Sequence, residues 1–356
     1  MNTNKRFSII CIILGITVSG VVKSQNEGSF KLNTLKLESR IDYDFMHHDN
    51  SDAANENGFG GKYINFAIGG DINEHFSFNY RQRILPVTGE RTFFDGTDYI
   101  YLTCKMNKNV AFSAGKQVIY IGGFEYDLAP IDVYFWSEFW NNIICYQIGA
   151  SAEFTTNDGN HKFILQVANS PYSEKPLDKL YSYNAIWYGK INHWKTMYSL
   201  NMLEYTPGSF INYIALGNQF DFGKVSFYID YMNRYHGEQD RFFDDFTAIG
   251  EVKWNINDIV SVFGKGGYDA NRECGTSYCM GTPRDIFVAP GIEYHYYGIG
   301  FEIYPMKADK DIRIHGFAAR KSTDFAGTVN DKDDWHFSLG LTWRADFLKK
   351  FPQLAK

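Results

Sequence analysis

The stretch Trp335–Phe347, "WHFSLGLTWRADF", decides the fold class, because its large apolar residues recur at every second position. Trp335, Phe337, Leu339, Leu341, Trp343, Ala345 and Phe347 fall on one side, and His336, Ser338, Gly340, Thr342, Arg344 and Asp346 on the other. A period of two is that of a β-strand with two unlike faces. A strand of a soluble sandwich and a strand of a membrane barrel both alternate in this way, so the medium has to be read from the rest of the chain.

Alternation recurs from end to end. "LKLESRIDYDF" (35–45) sets Leu35, Leu37, Ile41, Tyr43 and Phe45 against Lys36, Glu38, Arg40, Asp42 and Asp44, and five ionisable residues in a row on one face imply water there. "FSFNYRQR" (76–83) sets Phe76, Phe78 and Tyr80 against Asn79, Arg81 and Arg83. "KVSFYIDYMNR" (224–234) sets Val225, Phe227, Ile229 and Tyr231 against Ser226, Tyr228, Asp230 and Arg234. Such segments number about sixteen, each near the ~10 residues that a tilted strand needs to cross a bilayer. "YHYYGIGFEIYPM" (294–306) is read as changing phase midway.

The connections separate the two media. After the even-numbered strands come short turns such as "INEH" (72–75), "NKN" (107–109), "INH" (191–193) and "NIND" (255–258). After the odd ones come long polar loops, among them "HHDNSDAANENGFGG" (47–61) and "NSPYSEKPLDKLYSY" (169–183); only "TPG" (206–208) breaks the rule. Short turns at one end and long loops at the other mark an outer-membrane barrel with its short end in the periplasm, whereas a sandwich has no reason to sort its loops. The sequence therefore predicts an all-β, antiparallel transmembrane barrel of about sixteen strands in the outer membrane of a Gram-negative bacterium. Its apolar face meets outer-membrane lipid.

Composition agrees. The 356 residues include 30 Phe, 25 Tyr and 7 Trp, yet the mean hydropathy is -0.33, as expected when each spanning strand gives half its residues to a polar interior. Residues 1–24 read as a signal peptide, with Lys5 and Arg6 before the apolar run "FSIICIILGITVSGVV" and cleavage before Gln25. Domain limits follow as a barrel over 25–348 and a short tail over 349–356. Removing Lys5, Arg6 and Lys23 leaves 32 basic side chains against 41 acidic ones, a net -9, which gives no electrostatic reason to bind nucleic acid. Cys274 and Cys279, in "CGTSYC", are disulfide candidates in an exported chain. Cys104 and Cys145 point to different faces and read as unpaired.

The segment "GKQVIYIGGFEYDLAPIDVYFWSEFWNNIICYQIGAS" (115–151) resembles the central part of the phosphate-selective porin O/P family and its relatives in Bacteroidetes-type bacteria. The likeness lies in a strand ending in Gly-Lys-Gln, a long loop with Gly-Phe-Glu, and a strand starting near Tyr-Gln-x-Gly. It implies a sixteen-stranded homotrimeric porin whose loop after the fifth strand enters the channel. This sequence departs from the arginine ladders and lysine clusters of the anion-selective members, because its lumen charges are of both signs. Phe347, which would end a usual terminal strand, is followed by "LKKFPQLAK".

Read from its residues alone, the loop over 118–142 suits a constriction. Tyr126, Tyr134, Phe135, Trp136, Phe139 and Trp140 need something to pack against, while Glu125, Asp127, Asp132 and Glu138 need water or cations. Folding inward meets both needs, and the acids are then expected to face a basic wall patch of Arg40, Arg81 and Arg83, as charged rings in selective pores do; the alternative is a loop packed at a subunit interface with these acids solvated. Glu38, Asp42, Asp44, Asp230, Arg344 and Asp346 are the expected pore-lining residues. Enzyme readings are weak: the sequence has no G-x-S-x-G, H-E-x-x-H or P-loop. Scattered histidines (His295, His315, His336, and the loop pair His47 and His48) make neither a base nor a metal set, and no cofactor is expected. The function expected is passive diffusion of small hydrophilic solutes or ions. The alternative is a narrow, non-conducting barrel serving as a docking component of a surface or secretion complex.

Overall fold

The computed structural model describes residues 30–49, 54–84, 94–173, 178–236, 242–272, 287–288, 291–307, 310–325 and 332–351. The signal segment 1–24 and the pair Cys274 and Cys279 lie outside the described residues. The first eight strands are β1 (Lys31–His48), β2 (Glu56–Asp71), β3 (Phe76–Arg83), β4 (Thr97–Lys105), β5 (Val110–Val118), β6 (Tyr146–Thr155), β7 (His161–Asn169) and β8 (Tyr181–Ile191). The second eight are β9 (Trp194–Thr206), β10 (Ser209–Asp221), β11 (Val225–His236), β12 (Asp245–Asn255), β13 (Val260–Asn271), β14 (Ile292–Ile303), β15 (Ile312–Phe325) and β16 (Lys332–Asp346).

These sixteen strands form one closed barrel, each antiparallel to its sequence neighbours, with β1 completing the ring on β16 through pairs such as Ile41 with Leu341 and Asp42 with Gly340. Closure leaves no sheet edge for lipid to meet. Alternation fixes the faces. In β16, Leu339 and Leu341 are 56% and 43% exposed on the outside, whereas Ser338 and Thr342 are 8% and 0% exposed on the inside. Ile229, Leu200, Leu165 and Ile299 continue the exposed apolar surface around the barrel, as a lipid-facing band requires.

Short turns join the even strands to the odd ones. Asn73 accepts from the backbone N–H of His75 and Phe76, Asn107 from Asn109 and Val110, and Asn257 from Ile259 and Val260. A side-chain amide thus closes three of these turns in the same way. At the other end β9 meets β10 directly across Pro207 and Gly208, the exception seen in the sequence.

Two expectations change. The alternation of β14 does not shift phase: Tyr294, Tyr296 and Glu302 all lie on its buried inner face, so what reads as a shift is an inner face that turns from aromatic to polar along the strand. His295 consequently shares the outer face with Tyr297 and Ile299. The expected water along the inner face of β1 is also absent at its centre, where Arg40 and Asp42 are 2% and 1% exposed. Both changes have one cause, the segment 119–145, which enters the barrel and covers these residues. After β16 the chain turns into a single helical turn, Phe347–Lys350, for which Asp346 accepts the backbone N–H of Leu348 and Lys349.

Candidate functional site

Residues 119–145 connect β5 to β6 and carry two short helices, α1 (Phe124–Asp127) and α2 (Glu138–Asn142). Their apolar residues pack on the inner wall. Ile119, Ile121, Tyr126, Phe139 and Ile143 join Leu203, Ile211, Tyr213, Ala215 and Met232 of β9–β11 in one buried cluster. Tyr134 and Phe135 join Phe263, Tyr294, Tyr296 and Phe317 of β13–β15 in another. An irregular segment inside a barrel must find partners for its backbone polar groups, and the polar lumen face supplies them. Gly122 N–H donates to Ser199 Oγ at 2.8 Å, Glu125 N–H to Asp230 Oδ2 at 2.8 Å, and Glu138 N–H to Asp269 Oδ2 at 3.0 Å. The carbonyls of Tyr120, Val133 and Phe135 accept from Asn201 (2.8 Å), Arg40 (2.7 Å) and Lys265 (2.8 Å).

The Gly-Phe-Glu stretch has a physical role at each position. Gly123 has φ 122°, which side-chain-bearing residues avoid, and a Cβ at Gly217 would meet its Cα at 2.9 Å, so two glycines permit the close approach of loop to wall. Phe124 packs on Tyr228 and Ile249. Glu125 pairs with Lys265 at 2.6 Å, both side chains almost fully buried, and also accepts from Ser137 N–H at 3.2 Å, from the Ser137 hydroxyl and from Tyr296 OH at 3.3 Å. A buried carboxylate with one cation and three hydrogen-bond donors meets the conditions under which burial of charge is tolerated.

The expected constriction residues are therefore divided. Glu125 meets Lys265 and not an arginine patch. Asp132 meets Arg313 at 2.8 Å and also bonds Arg344. Burial works to raise the Asp132 carboxyl, but the two guanidinium groups outweigh it and hold it below the usual carboxylate range. Asp127 is exposed to the lumen with no ion pair among the described residues, and the desolvation imposed by the enclosing wall pushes its carboxyl upward. Glu138 bonds Asn142 at 3.1 Å.

Arg40 does touch the loop, through the Val133 carbonyl, but its ion pair is with Asp42 on its own strand. Arg81 and Arg83 do not face the loop acids. Both bond the buried Asp98 of β4, at 2.8 and 3.1 Å, and Arg81 lies 4.8 Å from the ring centre of Tyr99. Of the expected pore-lining residues, Asp42 and Asp230 lie dry beneath the loop, Asp44 bonds Lys62 and His336, Glu38 bonds Arg344 at 3.0 Å, and Asp346 caps the terminal turn at the periplasmic rim. Lys265, Asp98, Glu302 and Arg313 were missed as site residues. Alternation assigns Lys265, Glu302 and Arg313 to the inner face, whereas Asp98 has the parity of the outward Ile100 and Leu102 and turns inward through the register shift where β4 pairs with Arg81 and Gln82; which part of the inner face lies under the loop is not written in any one strand. Cys104 and Cys145 are unpaired.

Residues 34–206 match the phosphate-selective porin O and P family. Over those residues the chain is similar to outer-membrane porins of the O and P type. Its fold is shared by an anion-selective porin from Comamonas acidovorans (TM-score 0.62, 11% identity, 89% of this chain and 100% of that one). It is shared too by the outer membrane channel DcaP of Acinetobacter baumannii (TM-score 0.62, 8% identity, 89% and 98%) and by OmpT of Vibrio cholerae (TM-score 0.55, 10% identity, 90% and 99%). No curated protein matches the sequence. Family and barrel together place the porin in the outer membrane of a Gram-negative bacterium, as a channel for passive diffusion of solutes or ions.

Proposed function

We propose that this porin passes small hydrophilic solutes and ions with weak charge selection, that residues 119–145 form its constriction, and that it carries out no catalysis. The observation that supports this reading is the loop itself, held inside the barrel by Lys265, Asp230, Asp269, Ser199 and Arg40. Those anchors lie on β1, β9, β11 and β13. The water path then runs along the opposite arc, where Arg81, Arg83, Tyr99 and Tyr101 are half-buried on β3 and β4 and Asp127 is exposed on the loop. The arginines share Asp98, and Asp127 opposes their remaining charge, so neither sign dominates.

The phosphate preference in the family's name is not carried over, because Arg40, Arg81, Arg83, Lys265, Arg313 and Arg344 are each bonded to a carboxylate. Residues 1–24 are proposed as the export signal and 349–356 as a tail following the barrel. A homotrimer is proposed as the assembled form; OmpT of Vibrio cholerae, of the same fold (TM-score 0.52), has been described in a trimer form. Single-channel recording in planar bilayers under a salt gradient tests the reading. Stable conductance with a small reversal potential is expected, and block of chloride current by micromolar phosphate would overturn it.

A further inference from the structure

Below the loop lies a cavity of about 270 Å³ that the channel reading does not by itself explain. Its floor and side are the wall residues Lys253, Lys265, Arg313 and Arg344 with Glu251 and Glu302, and the loop closes it with Asp132, Tyr134 and Phe135. Lys253, Glu302, Arg313 and Arg344 each stand within two residues of the periplasmic ends of their strands, so the cavity lies on the periplasmic side of the constriction. At ~30 Å³ per water molecule it has room for about nine waters, or for one solute of amino-acid size.

Its charges are already arranged in pairs. Lys253 Nζ bonds Glu302, Lys265 bonds Glu125, Arg313 bonds Asp132 and Glu302 (2.8 and 3.3 Å), and Arg344 bonds Asp132 and Glu38. An entering anion would have to lie beside these carboxylates or displace one. An entering cation would meet four positive groups. Two functions remain unsaturated among the described residues. Glu251 has no ion pair and accepts only the Tyr228 hydroxyl, at 3.3 Å, and the Arg313 Nε–H, on a side chain 4% exposed, has no hydrogen-bond partner. One unpaired carboxylate and one guanidinium with an unpartnered N–H thus belong to residues that line the same small volume.

We infer that this cavity is a binding subsite for small zwitterionic solutes of amino-acid size, with the solute ammonium on Glu251 and its carboxylate on the Arg313 guanidinium. A zwitterion adds one charge of each sign and leaves the balance of the surrounding pairs unchanged, whereas either half alone does not. The inference rests on the channel reading only for how the solute arrives. Bound there, the solute would be held beside the water path on the periplasmic side of the loop, while ions pass along the opposite arc.

The test uses the purified porin in detergent, titrated calorimetrically with L-alanine and, separately, with propionate, ethylammonium and inorganic phosphate, alongside bilayer recording of the same preparation. Alanine is expected to bind saturably, and propionate and ethylammonium each about tenfold more weakly, the scale of one lost charge-assisted hydrogen bond. Glu251→Gln keeps the side-chain size and an acceptor for Tyr228, so it folds. It should weaken alanine about tenfold and leave propionate unchanged, a split that a merely structural change would not produce. Equal or tighter binding of propionate or phosphate than of alanine would overturn the subsite, as would an alanine affinity unaltered by Glu251→Gln. Conductance without alanine binding removes the subsite and leaves the channel; alanine binding without conductance upholds the subsite and removes the channel.

Discussion

Lys265→Met isolates the contact that holds the loop in place. Lys265 gives one bond to Glu125 at 2.6 Å and one to the Phe135 carbonyl at 2.8 Å, and the two charged side chains are 3% and 2% exposed. Methionine fills similar space but removes the cation, so Glu125 is left buried without its counter-charge. Breaking a buried pair from one side costs about 3–5 kcal/mol. Glu125 retains the Ser137 and Tyr296 donors, which places the cost near the lower figure. About 3 kcal/mol corresponds to a factor of roughly 150 in the equilibrium between docked and released loop. The sixteen-stranded wall keeps its own hydrogen bonds, so the barrel should still form and shift on heating in gels. Single channels of the variant should show higher mean conductance and more open-state noise. Adding Glu125→Gln removes the stranded charge and should bring the noise back toward wild type, since the two effects couple through one bond. Wild-type traces from Lys265→Met, or a double variant noisier than the single one, would refute the reasoning.

On the outer face, Leu339→Arg should impair assembly by about 2–4 kcal/mol, the cost of a cation near the bilayer midplane of a barrel; folding yields into lipid vesicles equal to wild type would show that the face is misassigned. Replacing Arg81 and Arg83 together by Ala leaves Asp98 without its two cations, so the reversal potential should move toward cations. That shift should shrink at 1 M salt, where screening acts over about 3 Å, and an unchanged potential would remove these arginines from the conducting path. Asp127, whose carboxyl is raised by desolvation, loses its charge at a higher pH than an ordinary carboxylate as pH falls, while Asp132, lowered by its two arginines, keeps its charge. Preference for cations should therefore decline on mild acidification, and Asp127→Asn should abolish that early decline; an identical pH profile in the variant would count against it.

Much of the architecture is legible in the sequence by itself. Period-two alternation is a local property, so Leu339 and Thr342 could be assigned to opposite faces without any knowledge of their neighbours. Turn chemistry is local as well: Asn73, Asn107 and Asn257 close their turns with bonds that reach only two or three residues. The aromatic residues of 119–145 also announce that this loop needs a surface to pack on. What the sequence does not contain is where that surface lies. The partners of Glu125 and Asp132 are Lys265, Arg313 and Arg344, between 140 and 212 positions away along the chain, and each looks from its own strand like any other inward polar residue. Arg81 and Arg83, nearer in sequence and equally basic, were the natural guess and are held instead by Asp98. Only closure of the ring decides which arc of the wall the loop covers. The same docking dries Arg40 and Asp42 and lets Tyr294 and Tyr296 replace polar residues on an inner face, because a side chain under the loop must match the loop and no longer the water.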